Sequence, residues 1–143
     1  MNLSRLGNRI VVTAAPTDTV AAVLLLMDQR NVGSVVVVRD ERPVGIVTDR
    51  DIALRVTLRG RDPRATSAES VMSRDVACVR EDTEPLDAAA LMRRRQVRRL
   101  PIVDAAGRLA GLVSLDDLVY RFSREVGELA DVLAPFPETQ TAG

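Results

Sequence analysis

Followed for the spacing of its apolar positions, the chain falls into short blocks that each occur twice. Ile10 to Thr13 is a β-rich run. From Val20 the spacing changes: Val20, Val23, Leu24 and Met27 fall at i, i+3, i+4 and i+7, which predicts one face of a helix. Two β-branched runs, SVVVV and PVGIV, then flank a polar turn. They are too continuously apolar to alternate and predict a buried hairpin, with a second helix starting at Thr48. The same order returns later. Val76 to Val79 is β-rich, Pro85, Ala88, Ala89 and Met92 carry the helical spacing, LPIV and LAGLV form the hairpin, and a helix starts at Ser114. Pro85 suits a first helical turn. Asp18 and Asp82 are the expected helix-starting side chains of the two earlier helices.

Aligned on these blocks, Val32 stands against Val97 and Met27 against Met92, 65 positions on, while Gly45 stands against Gly111, 66 on. The added residue falls in the polar turns, RDER (39–42) against DAAGR (104–108), where a chain tolerates insertion. The fold class is therefore α/β (α+β), a β-α-β-β-α unit written twice. The expected organisation is repeat 1 over residues 1–60, a linker over 61–70, repeat 2 over 71–133 and a frayed tail over 134–143. Gly60 and Pro63 stop the helix ahead of the linker. The last helix runs past its repeat: Leu115, Leu118, Phe122, Val126, Leu129 and Leu133 lie on one stripe, ended by Pro135. A stripe of this kind must be covered, either by its own core or by a second chain. The second option makes a homodimer, which is the expectation taken forward.

Composition narrows the function more by exclusion than by pointing. The 143 residues are 46% hydrophobic and 28% charged, as in a globular protein, with twenty basic and twenty acidic residues in balance. No net field attracts nucleic acid or an anionic membrane, and the basic stretch Arg93 to Arg99 has few aromatics beside it. All twenty cations are Arg; this reads either as coding bias or as a preference for phosphate, which Arg binds with a forked pair of donors. Cys78 is the single cysteine, so no intrachain disulfide forms. Val20 to Met27, the longest apolar run, is too short to span a membrane, and the N-terminus lacks a signal-like apolar run; a cytoplasmic location is expected. There is no His and no P-loop, G-x-S-x-G or G-x-G-x-x-G, so neither an enzyme nor a transition-metal site is expected.

Two motifs remain, GIVTDRDI (45–52) and GLVSLDDL (111–118). Thr48 with Asp51 and Ser114 with Asp117 each fit the box that starts a helix, and on that reading no ligand is needed. The same geometry also suits a ligand. A helix start after a strand can face a cleft, and a carboxylate there can accept from a ribose diol. The two readings are compatible.

The tandem units, with GIVTDRD, GLVSLDD and QVRRLPIVD, resemble paired CBS domains (cystathionine-β-synthase domains) over roughly residues 5 to 125. The resemblance implies a regulatory module that senses ligands rather than a catalyst. It implies adenosine-containing ligands (AMP, ADP or ATP, with S-adenosylmethionine or NAD as further options) in two clefts between the copies, and association into flat dimers. Carried over residue by residue, Thr48 with Asp51 and Ser114 with Asp117 contact ribose or phosphate, and Arg98 and Arg99 meet the phosphates, with Arg50 a further candidate. Thr13, Val35, Val36, Cys78, Leu100 and Pro101 are the candidates for an adenine slot; each also reads as an ordinary core or strand residue. Copy one departs from the pattern, with Gly33 and Ser34 in place of the two arginines, so unequal sites are expected. The other function class is a ligand-free structural or interaction module acting on a protein partner the sequence does not name.

Overall fold

The computed structural model describes residues 3–7 and 9–134. The tail expected to fray lies, apart from Ala134, outside the described residues, as does Pro135. The elements follow the β-α-β-β-α order twice: β1 (Thr13–Ala14), α1 (Val20–Arg30), β2 (Ser34–Arg39), β3 (Arg42–Thr48) and α2 (Asp49–Ile52); then, after α3 (Ala68–Val71), β4 (Val79–Arg80), α4 (Pro85–Arg95), β5 (Arg99–Val103), β6 (Leu109–Ser114) and α5 (Leu115–Leu133). Each copy forms its own three-stranded sheet, with β1 parallel and β3 antiparallel to β2, and β4 parallel and β6 antiparallel to β5.

The hairpins fall where the apolar runs placed them, and their turns differ by the added residue. In the first, Asp40 and Glu41 both take positive φ (51° and 63°) between the paired Arg39 and Arg42, the two-residue turn whose twist matches its strands. In the second, Asp104 organises a longer turn through Gly107 (φ 81°). Its Oδ1 accepts from the Ala106 and Arg108 amides and its Oδ2 from Arg108 Nε at 2.9 Å. These donors, the Arg108 amide first, hold the Asp104 carboxyl below its ordinary value. The tips of the two hairpins meet: the Leu109 N–H donates to the Glu41 carbonyl at 2.8 Å, and Arg42 packs on Gly107.

Three local expectations shift. The runs expected as first strands pair only from Thr13 and Val79 onward, so Ile10 to Val12 and Val76 to Cys78 lie ahead of the sheets. Asp18 does not cap α1; its Oδ2 accepts from the Ala15 N–H at 2.8 Å, and Thr19 Oγ1 takes the Ala22 N–H instead. In copy two the cap position is Glu84, not Asp82; its side chain does not cap the helix, and Pro85 follows at the first turn.

Two hydrophobic cores result, one per sheet, and each takes in the leading segment of the other copy. Leu3, fully buried, belongs to the core of the second sheet with Leu100, Ile102, Val113 and Leu118. Ala68, Val71 and Met72 belong to the core of the first sheet with Val35, Val47 and Val56. The connecting segment is tied to copy one by its backbone: Val20 N–H donates to Thr66 O, Ala21 N–H to Pro63 O, and Ala68 N–H to Asp18 O at 2.7 Å. Glycines permit both crossings. A Cβ on Gly45 would collide with the Met72 side chain, and one on Gly7 would stand 2.6 Å from the Leu112 carbonyl oxygen. The two copies are thus laced into one body, and the clefts between them are held by that lacing.

Candidate functional site

Both helix-start boxes are formed. At α2 the Asp51 N–H donates to Thr48 Oγ1 at 3.1 Å and the Thr48 N–H donates to Asp51 Oδ2 at 2.9 Å. At α5 the Asp117 N–H donates to Ser114 Oγ at 3.1 Å and the Ser114 N–H donates to Asp117 Oδ2 at 2.8 Å. Each satisfies two backbone donors that a helix start leaves open. A third bond fixes each helix start against the other hairpin strand: Asp49 N–H to Gly33 O (3.1 Å) in copy one, Leu115 N–H to Arg98 O (2.8 Å) in copy two.

Each box also faces a cleft, and each cleft is completed by the other copy. Cleft one, about 340 Å³, has Thr48, Asp49, Arg50 and Asp51 from copy one. Facing them are Asp75, Val76 and Ala77 ahead of β4, and Gln96 to Arg99 between α4 and β5. Cleft two, about 290 Å³, has Leu112, Ser114 and Asp117 from copy two, with Ile10 to Val12 ahead of β1 and Asn31 to Ser34 between α1 and β2. Most of the lining positions correspond through the repeat, apart from Asp49, Arg50 and Ser73 in cleft one and Arg99 in cleft two. Even the left-handed residues that end α1 and α4, Asn31 (φ 52°) and Gln96 (φ 53°), take matching places. Arg99 lines both clefts.

The chemistry is aliphatic walls with a few polar groups. Ile46, Val76, Ala77 and Val97 wall cleft one; Val11, Val12, Val32 and Leu112 wall cleft two. The charges differ. In cleft one Asp75 is already held by a two-pronged bond from Arg95 (3.0 and 3.3 Å), and Asp51 Oδ1 lies 3.8 Å from Arg55 Nη2. Among the described residues Arg50, Arg98 and Arg99 have no acidic partner, so three guanidinium groups are available there. In cleft two the charged side chains are Arg99 and Asp117, and among the described residues Asp117 Oδ1 takes no hydrogen bond or ion pair.

Of the residues singled out from the sequence, Thr48, Arg50, Asp51, Arg98 and Arg99 come together in cleft one, and Ser114 and Asp117 with Arg99 in cleft two. The adenine-slot candidates Thr13, Val35, Val36, Cys78, Leu100 and Pro101 line neither cleft. Val35 and Leu100 are fully buried core, Val36 and Pro101 are buried in their strands, and Thr13 is exposed. Cys78 is half-buried, its thiol pushed up by burial and 3.7 Å from the Val76 carbonyl. The apolar lining is instead supplied a few residues earlier, by Ile10 to Val12 and Val76 to Ala77. The repeat register pairs these two stretches, which is the signal that would have found them. Among the described residues no group of three His, Cys, Asp or Glu is placed to hold a metal ion, and no helix is long and apolar enough to cross a membrane.

Comparison with known proteins gives a consistent answer. The profile of the CBS domain family matches the chain twice, over residues 3–57 and 68–124. The CBS domain-containing protein YhcV of Bacillus subtilis is 44% identical over 108 residues, covering 76% of each chain. The solved structure of a putative signal-transduction protein with CBS domains from Burkholderia ambifaria superposes with a TM-score of 0.79 at 29% identity, covering 97% of this chain and all of that one. A CBS domain protein of Pyrobaculum aerophilum, solved in complex with AMP, superposes with a TM-score of 0.79 at 28% identity, covering 92% of this chain and 99% of that one.

Proposed function

The chain belongs to the CBS domain family, and on that premise we propose that it is a non-catalytic regulatory module binding an adenosine-containing ligand in the clefts between its copies. The observation that carries this reading is the double construction of the clefts: each sets a helix-start carboxylate against an aliphatic wall from the other copy, with a guanidinium at its edge. The carboxylates of Asp51 and Asp117, with Thr48 and Ser114, suit a ribose diol. Arg50, Arg98 and Arg99 suit phosphate. The aliphatic walls suit a base that needs no aromatic stack. The Pyrobaculum aerophilum relative was solved with AMP, which supports an adenosine-type ligand here; AMP, ADP and ATP are the first candidates, with S-adenosylmethionine or NAD as further options.

One observation favours the other reading, a ligand-free interaction module: both carboxylates already serve as caps and keep their helix starts satisfied without a ligand. Thermal unfolding with each ligand at millimolar concentration separates the two. A ligand at about 100 times its dissociation constant adds about 2.7 kcal/mol, a clear midpoint rise. Asp51→Ala and Asp117→Ala each also lose a cap, about 0.5–2 kcal/mol, so the ligand-induced rise, not the absolute midpoint, is compared. A rise that disappears in these variants supports sensing; no rise with any of the ligands leaves the interaction module.

The last helix supports a homodimer. Its first half packs on the second core through Leu115, Leu118 and Phe122, but Val126, Leu129, Val132 and Leu133 are 63–85% exposed. In this reading a second copy covers that stripe. Truncation after Arg124 is expected to give a monomer by sedimentation; an unchanged dimer rejects the interface.

A further inference from the structure

A third groove, about 210 Å³, opens between the N-terminal turn (Leu3–Arg5) and α5. Its lining is Arg5, Leu6, Asp117, Tyr120, Arg121 and Arg124. Asp117, Tyr120, Arg121 and Arg124 stand at i, i+3, i+4 and i+7, so one helix face supplies them. Arg121 Nε donates to Glu125 Oε1 at 3.0 Å and is partly neutralised. Among the described residues neither Arg5 nor Arg124 has an acidic partner. The groove meets cleft two at Asp117, which lines both.

The matching place in copy one is different. The positions that correspond to Tyr120, Arg121 and Arg124 are Leu54, Arg55 and Leu58, and Ser70 corresponds to Arg5. Arg55 there is occupied: its Nη1 donates to the Val71 carbonyl at 2.7 Å and its Nη2 faces Asp51. Arg61 donates to Ser70 Oγ at 3.2 Å. Cleft one therefore has Arg98 and Arg99 on one side and Arg50 on the other. Cleft two, with Gly33 and Ser34 in place of the two arginines, has the Arg99 it shares with cleft one and further cations beyond Asp117.

We propose that this groove is a phosphate-binding subsite of cleft two, in which Arg5 and Arg124 hold the phosphate of a ligand whose sugar lies at Asp117. The proposal rests on the nucleotide-binding reading for its ligand and on the groove's own charge for its site. Two guanidinium groups lining one groove and not engaged in an ion pair among the described residues suit a phosphate, because their forked donors match its oxygens.

The test uses calorimetric titration of the full chain with AMP, adenosine and inorganic pyrophosphate. The variants are Arg5→Gln/Arg124→Gln and, for comparison, Arg98→Gln, at a residue that lines cleft one and not cleft two, with circular dichroism to verify folding. The expected result is an AMP binding event weakened at least tenfold in Arg5→Gln/Arg124→Gln with adenosine binding unchanged, and only the other event weakened in Arg98→Gln. AMP binding unchanged in Arg5→Gln/Arg124→Gln, or AMP and adenosine weakened alike, overturns the subsite. If wild-type protein binds neither AMP nor adenosine, the nucleotide reading fails and pyrophosphate decides the subsite alone. Pyrophosphate binding that is lost in Arg5→Gln/Arg124→Gln upholds it, and absent or unchanged binding overturns it.

Discussion

Cleft one and cleft two are built to one plan and differ in charge. Their helix-start boxes agree within 0.1 Å in both bonds: 3.1 and 2.9 Å at Thr48 and Asp51, 3.1 and 2.8 Å at Ser114 and Asp117. Their walls come from matched stretches. Yet Arg98 stands where the other copy has Gly33, and Arg99 where it has Ser34. Backbone geometry is held in common because capping and strand pairing need only a hydroxyl, a carboxylate and apolar neighbours. Charge can diverge because a guanidinium at a cleft edge contributes little to folding and is free to change. Shared parts are therefore expected to govern stability, and the unlike parts to govern affinity.

The largest test of that division concerns the lacing of the copies. Leu3→Ala is expected to destabilise the protein by about 2–5 kcal/mol, because Leu3 is fully buried in the second core although it stands at the start of the first copy. Denaturant unfolding measures it, and a loss under about 1 kcal/mol would mean that the N-terminal turn is not part of that core. Next in size, Arg98→Gln with Arg99→Gln is expected to weaken nucleotide binding by about 1.5–3 kcal/mol per lost charged bond while leaving adenosine binding and the unfolding midpoint nearly unchanged. Titration with both ligands reads this. Since Arg99 lines both clefts, Arg99→Gln alone is expected to alter both binding events, whereas Arg98→Gln alters one.

Smaller effects sharpen the likeness. Thr48→Ala and Ser114→Ala are each expected to cost about 0.5–2 kcal/mol, and close to the same amount, because the caps are geometrically alike. Unequal losses in urea midpoints would show that one box is supported by more than its own bonds. The smallest effect separates the hairpin turns. Asp104 has a depressed pKa in the folded state, so its contribution is present above the ordinary aspartate value near 3.8 and is lost as pH falls through the lower folded value. Asp104→Asn should therefore flatten the acid end of the stability curve. Among the described residues Asp40 makes no such side-chain bonds in the two-residue turn.

Much of this was legible along the chain. The hairpins, the helix starts at Thr48 and Ser114, and the long stripe of α5 depend on residues within a few positions of each other, so spacing alone carries them. The one-residue offset in the turns was legible for the same reason. Less legible were the caps of α1 and α4: Asp18 is as good a cap by type as Thr19, and its use at Ala15 is decided by where the preceding loop runs. The adenine-slot candidates lie a few positions from the residues that line the clefts, because β-branched residues look alike on either side of a strand's first paired residue. Val35 and Leu100 pair into the sheets and are buried, while Val11 and Val76 precede the strands and remain at the clefts.

By itself the sequence determined the repeated unit, its helices and hairpins, and the two capped carboxylates, since those follow from short-range spacing and hydrogen bonding. Only the tertiary structure decided that Asp51 faces Arg98 and Asp117 faces Ser34, that Leu3 enters the second core and Met72 the first, and that Arg5 and Arg124 share a groove. Those pairings join residues far apart in the chain, and they arise because each sheet can bury its apolar face only by taking in a segment from beyond its own copy.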